Sequence, residues 1–275
     1  MLRRSQLFVP AHDERKVRKS VGLGADSIVF DFEDSVPDDQ KTFARECLCK
    51  LTSELDWDNS ELCVRINKVG SGYSREDIAA VRSIEKIRTL VLPKAEKIWE
   101  NLNDLEGFSL IPLAETALGV LGIEKIANTS GVVAISLGAQ DLANSVGGDS
   151  QEYGSNTYVK TKLAIACAAF EVEAIDCVYF DLNNAAGFRK AAEAARALGF
   201  KGKQVVHPSQ IQIANQVFSP SEAELLEARR IVGAYEASAS ERVGAIRLDG
   251  KLVDAVHYRR AKSLLNSQKK IENRV

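Results

Sequence analysis

Eight short apolar runs recur along this chain, each rich in β-branched residues and each ending on a polar, Gly or Pro position. They are LFVP (7–10), SIVFDFE (27–33), LCVRIN (62–67), TLVLP (89–93), SLIPLAE (109–115), VVAISLGA (132–139), VEAIDCVYFD (172–181) and QVVH (204–207). Segments with helical periodicity lie between them, at 15–24, 77–87, 117–128, 157–171 and 185–199, the last closed by Gly199 as a helix C-terminus should be. Strands alternating with helices predict a parallel sheet. Strands apolar on both faces predict that the sheet is covered on both sides. Eight such units in about 240 residues is the count of a (β/α)8 TIM barrel, an α/β fold. An open doubly wound sheet would usually carry a glycine-rich turn after its first strand, and VPAHDER has none.

The barrel is expected to span 1–238. Its last helix would be 219–238, with Ser219 as N-cap, Pro220 at N1 and Glu222 at N3. GAIRLDGKLVDAV (244–256) then reads as two short strands around an Asp-Gly turn, followed by a basic helix. Residues 239–275 are therefore expected to form a C-terminal hairpin-helix lid.

Composition narrows the setting. The 36 basic and 38 acidic residues give a net charge of −2, and the basic ones are dispersed, so no nucleic-acid surface is indicated. The cluster Lys16-Val17-Arg18-Lys19 reads as a solvated helix face. No segment approaches the ~20 apolar residues of a membrane span, and MLRRSQLFVP lacks the apolar run of a signal peptide. The five cysteines are odd in number and include no C-x-x-C pair, which predicts free thiols in a reducing, cytoplasmic setting.

In a barrel of this kind the active site is built at the C-terminal ends of the strands. The second strand delivers Asp31, Glu33 and Asp34 there, the third Arg65 and Asn67, and the fourth Lys94. The fifth delivers Glu115, the sixth Gln140 and Asp141, the seventh Asp176, Tyr179 and Asp181, and the eighth His207. Glu115 and Asp141 follow adjacent strands. Either alone serves equally well as a helix cap. Together, with no Cys/His cluster nearby, they suit a hard cation such as Mg²⁺. Arg65, flanked by Val64 and Ile66, must be paired or face a ligand. One reading is a structural bridge to Asp31 or Glu33; the other is a cation that holds a carboxylate or a developing enolate. His207 is expected to turn the chain beside a ligand, and the glycines of GFKGK (199–203) to offer a phosphate loop.

Taken in order, RSQLFVP, DFEDSV, VRIN, LPKAE, PLAETALG, SLGAQDLA and GFKGKQVVHPSQI resemble the β subunit of citrate lyase and its relatives, the malyl-CoA and citramalyl-CoA lyases of the HpcH/HpaI aldolase group. The resemblance covers about residues 3–260. It implies a TIM barrel, usually a homotrimer or a hexamer, that splits a 3-hydroxyacyl-CoA into acetyl-CoA and a 2-oxo acid. It implies that Glu115 and Asp141 ligate Mg²⁺ and that Arg65 binds substrate. It also implies that Asp254, in LDGKLVDAV, reaches from the lid into a neighbouring subunit's site. Ala11, Leu252 and Val256 depart from the Gly, Met and Pro common in the family, at the substrate entrance and the lid.

The chemistry that follows from this resemblance gives Arg65 the enolate oxygen and Asp254 the proton at the enolate carbon. Glu33 and Asp34 form an acidic wall beside the metal that orients water or Arg65, and with Glu115 and His207 they complete the substrate-binding set. Three other readings stay open: a citrate lyase β subunit acting on a carrier-protein thioester, a CoA-independent aldolase, and a non-catalytic acyl-CoA-binding barrel.

Overall fold

All eight expected strands pair in parallel and close into a barrel in the computed structural model, which describes residues 1–96, 102–238 and 245–273. The strands are β1 (Ser5–Pro10), β2 (Ser27–Asp31), β3 (Glu61–Arg65), β4 (Thr89–Leu92), β5 (Ser109–Ala114), β6 (Ala134–Leu137), β7 (Glu173–Asp176) and β8 (Gly202–Val205), with β8 returning to β1. The helices of this part are α1 (Glu14–Ser20), α2 (Lys41–Glu54), α3 (Ser74–Arg82), α4 (Ala117–Leu121), α5 (Ile123–Ala127), α6 (Ala139–Val146), α7 (Ser150–Ser155), α8 (Thr157–Ala169), α9 (Ala185–Leu198) and α10 (Pro208–Val217). The helix expected over 117–128 is broken at Gly122, which ends α4 and starts α5. β7 stops at Asp176 rather than running to 181, and the Cys177 carbonyl accepts from the Lys203 ammonium at 2.5 Å.

Side chains alternate across each strand, and this parity positions the site. Val29, Cys63, Val91, Ile111, Leu113, Ala134 and Ile175 form the apolar filling of the barrel. Two residues on from Val29, Cys63 and Leu113, the same inward rows reach Asp31, Arg65 and Glu115 at the C-terminal mouth. The alternate rows, including Ile28, Phe30, Val64 and Leu92, pack outward with Val17, Leu48, Leu51 and Phe188 of the helices. The N-terminal mouth holds the buried Glu61 carboxylate. It accepts from Arg3 Nε (2.7 Å) and Nη2 (2.8 Å), Ser27 Oγ (2.8 Å) and Thr89 Oγ1 (2.9 Å), so its buried charge is fully paired.

The glycines of GFKGK are explained at this same N-terminal end. Gly199 closes α9 in the left-handed conformation (φ 106°), and Gly202 lies where any Cβ would collide with the Arg3 carbonyl. They serve backbone packing at the end of β8 remote from the catalytic mouth, so the phosphate-loop expectation is withdrawn.

Residues 3–218 form one unit and 219–275 a second. The boundary falls before, not after, the helix that the sequence assigned to the barrel. That helix, α11 (Glu222–Ser238), packs on α12 (Ala255–Glu272), with Tyr235 stacked on Tyr258 at 4.8 Å. Its cap is Ser221, not Ser219: Ser221 N–H and Oγ donate to Glu224 (2.7 and 2.9 Å), and Glu224 N–H donates back to Ser221 Oγ. Two registers of the same Ser-x-x-Glu spacing overlap here, and the later one makes the reciprocal bonds. β9 (Ala245–Leu248) and β10 (Lys251–Asp254) form the expected antiparallel hairpin, turned at Asp249 and Gly250, both with positive φ. No helix among the described residues is long and apolar enough to cross a membrane.

Candidate active site

The stretch DFEDSV leaves β2 as a tightly held loop. Asp31 sits opposite Arg65 in the β2–β3 register, and the two meet as a bidentate pair, Nε to Oδ1 at 2.6 Å and Nη2 to Oδ2 at 2.7 Å. Asp31 also accepts the N–H groups of Glu33 (2.9 Å) and Ser35 (3.0 Å). Burial alone would raise its pKa, but the guanidinium and these donors outweigh it and hold the carboxyl below the usual range. The buried Lys41 ammonium caps the loop from beneath, donating to the carbonyls of Phe32, Glu33 and Val36.

Of the three acids, Asp31 is thus the anchor of Arg65. The bridge to Asp31 foreseen as one reading of Arg65 is present, yet it occupies only one edge of the guanidinium. The remaining Nη1 lies 3.3 Å from Glu33 Oε2 and 3.5 Å from Asp34 Oδ2, and the guanidinium packs over the Phe8 ring at 5.5 Å. Glu33 Oε2 is buried without a hydrogen bond, while Oε1 accepts from Lys94 Nζ at 2.6 Å. Burial raises the Glu33 pKa against the pull of Arg65 and Lys94.

Glu115 follows β5 and is almost fully buried. Its Oε1 accepts the Lys94 N–H at 2.7 Å. Its Cβ and Oε2 press on Gly138, where an added Cβ would lie 2.5 Å from both atoms. Burial pushes the carboxyl up to about 8, opposed by the Lys94 N–H and reinforced by the charges of Glu33 and Asp141. Asp141 stands in the first turn of α6, whose N-cap is Gly138, so the helix-cap reading of Asp141 does not hold. A buried carboxyl whose ionisation is opposed by two neighbouring acids is the electrostatic setting that a divalent cation relieves. Among the described residues no group of three or more His, Cys, Asp or Glu could hold a metal ion. Two carboxylates with the remaining positions left to water and ligand oxygens fit Mg²⁺ and not a closed structural site.

These groups surround a cavity of about 670 Å³ at the C-terminal mouth. Asp31, Asp34, Arg65, Glu115, Asp141 and His207 line it together. Glu33 stands behind Arg65 and does not line it. His207 caps α10, its Nδ1 accepting the Ser209 N–H at 3.2 Å, which matches the turning role foreseen for it. Asp254 belongs to the second unit, at the end of β10. Its Oδ1 caps α12 through Val256 N–H (2.9 Å) and His257 N–H (3.2 Å) and pairs with His257 Nδ1 at 2.7 Å.

Sequence reasoning gives no role in the site to four contributors. Lys16 and Lys19, read as a solvated face, line the cavity instead. Gly138 shapes Glu115, and its only sequence signal was its place just past a strand end. Lys94 was noted at the end of β4 but not given a role.

Residues 4–208 match the model of the HpcH/HpaI aldolase/citrate lyase family. The chain belongs to this family. Among relatives, it is 32% identical to mitochondrial citramalyl-CoA lyase from Homo sapiens over 276 residues, covering 92% of this chain and 81% of that one. It is 33% identical to (3S)-malyl-CoA thioesterase from Cereibacter sphaeroides, covering 95% and 93%. The solved structure of protein CitE from Mycobacterium tuberculosis in complex with magnesium, acetoacetate and coenzyme A matches with a TM-score of 0.79 at 31% identity, over 96% of this chain and 97% of that one. The family read from the ordered motifs and the barrel expected from the strand count are both borne out.

Proposed function

We propose that this chain is a Mg²⁺-dependent carbon–carbon lyase that cleaves a 3-hydroxyacyl-CoA of the citramalyl, malyl or citryl type to acetyl-CoA and a 2-oxo acid. The observation that carries this reading is the meeting of buried Glu115, Asp141 and the one guanidinium nitrogen of Arg65 not bound to Asp31 around one cavity, in a member of this family.

Glu115 and Asp141 would hold Mg²⁺, which supplies Lewis-acid polarisation of the substrate's hydroxyl and carboxylate oxygens. Arg65 offers Nη1 to the thioester oxygen, where negative charge develops as the carbon–carbon bond breaks. Asp31 fixes the guanidinium plane, so little reorganisation accompanies that step. Lys16 and Lys19 give the cavity a cationic side that suits the phosphates of CoA. The substrate hydroxyl gives up its proton as its oxygen becomes the carbonyl of the 2-oxo acid, and Asp254, supplied by a neighbouring copy in a homotrimer or hexamer, returns a proton to the enolate carbon. Its exposure, and that of the flanking Leu252 and Val256, supports a role in contact with something outside its own unit. A cytoplasmic setting is proposed on the five free thiols.

The deciding experiment is a coupled assay on citramalyl-, malyl- and citryl-CoA, scoring acetyl-CoA and the 2-oxo acid. Cleavage of at least one is expected with Mg²⁺, lost in EDTA and restored by excess Mg²⁺. Calorimetric binding of all three with no turnover would replace the lyase by an acyl-CoA-binding barrel. Turnover only of a carrier-protein thioester would make it a citrate lyase β subunit.

A narrower test addresses Glu115 through its neighbour. Gly138→Ala inserts a Cβ against the stem and Oε2 of Glu115, and stem atoms cannot swing aside as a flexible tip would. Mg²⁺ binding is expected to weaken by about 10–100-fold, read by calorimetry on the protein without substrate. Wild-type affinity would show that Glu115 is not held against Gly138 for the metal.

A further inference from the structure

Lys94 has a left-handed backbone, with φ 51°, a conformation disfavoured for any residue that carries a Cβ. The other described residues of this kind besides glycine, Asp58, Glu171 and Asp249, occupy exposed turns. Lys94 is half-buried and holds two groups of the site. Its N–H donates to Glu115 Oε1 at 2.7 Å, and its ammonium donates to Glu33 Oε1 at 2.6 Å, with Asp34 Oδ1 at 3.8 Å. The other oxygen of Glu33 has no hydrogen bond and faces Arg65 Nη1 at 3.3 Å. A line of contacts therefore runs from the Lys94 ammonium through both oxygens of Glu33 to the guanidinium nitrogen that Asp31 leaves unbound.

We propose that Lys94 is a positioning residue, whose ammonium sets the place of Arg65 Nη1 through Glu33 while its backbone is anchored on Glu115. A glycine would relieve the backbone at this position, but it would release Glu33. With Glu33 free to turn, the guanidinium would pivot on its Asp31 edge and its free corner would lose its fixed direction. The side chain thus acts on the step that Arg65 serves and not on the carboxylates that hold the metal, because the N–H to Glu115 is kept by any residue but proline. This rests on the lyase reading above for what Arg65 does.

The test uses Lys94→Gly in the full-length protein, measured alongside the wild type. The thermal midpoint is expected to stay level or rise. Mg²⁺ affinity by calorimetry without substrate is expected to stay within about threefold, and kcat to fall by about 10–100-fold with KM little changed. A lysine that merely stabilised the turn would lower the midpoint and leave kcat alone. Glu33→Gln should lower kcat as well, and the double variant should be no worse than the more damaging single one. Wild-type kcat in Lys94→Gly, or additive losses in the double variant, would overturn the proposal. A wild type inert on every thioester would sink the lyase reading instead. The crystal structure of Lys94→Gly would then still decide this one: a displaced Arg65 Nη1 supports it, and an unmoved guanidinium overturns it.

Discussion

Asp176→Asn is expected to lower the free energy of unfolding by about 3–5 kcal/mol, a large share of the stability of a typical domain. Asp176 ends β7 with no exposed surface, between the ammonium groups of Lys160 on α8 (2.7 Å) and Lys203 on β8 (2.5 Å). Both lysines are themselves almost fully buried. Asparagine keeps the shape and removes the charge, leaving two buried cations facing a neutral amide. Burial pushes the Asp176 carboxyl up, but the two lysines outweigh it and the net shift is downward. An acid with a depressed folded pKa contributes stability that is complete above its unfolded pKa and is lost as pH falls through the folded value. The gap between wild type and variant should therefore be full in urea melts at pH 7 and close only below about pH 4. A gap under 1 kcal/mol at pH 7 would show that water reaches this cluster.

The companion variant separates charge from packing. Replacing the whole cluster, with Lys160→Met, Asp176→Leu and Lys203→Met, removes all three desolvation costs and should recover most of the loss. It should not recover all of it, because the Cys177 carbonyl loses the Lys203 donor and a buried acceptor left unpaired costs about 1–3 kcal/mol.

The same cluster shows where the sequence ceases to be readable. Lys160 lies in a helical pattern and Lys203 in a glycine-flanked segment that looked like a phosphate loop. Only the closing of β7 on β8 brings them to one acid. Strand positions were legible because the β-branched runs are local signals, and strand ends were legible because barrel chemistry gathers there. Which acid does what was not legible, because it depends on register. Asp31 is the anchor of Arg65 since β2 and β3 pair with those two residues opposite each other, and no spacing within either strand reveals that. The domain boundary was missed for a related reason. α11 has the length and period of a barrel helix, and its membership is set by α12 and β9, which follow it in the chain.

Glu115→Gln should separate catalysis from stability. The amide oxygen can still accept the Lys94 N–H, and the side chain still fills the space against Gly138. The charge that would hold Mg²⁺ is gone. Lewis-acid help is worth several kcal/mol in such reactions, so kcat/KM is expected to fall by at least about 10³-fold, with calorimetric Mg²⁺ binding lost. Stability should move the other way. In the wild type a buried carboxyl faces Glu33 and Asp141, and burial with those charges raises its pKa to about 8. A neutral amide escapes that repulsion, so the metal-free variant should melt at or above the wild-type temperature. Loss of turnover together with a lower melting temperature would mark Glu115 as a structural residue. Turnover within tenfold of wild type would remove Glu115 from the metal site.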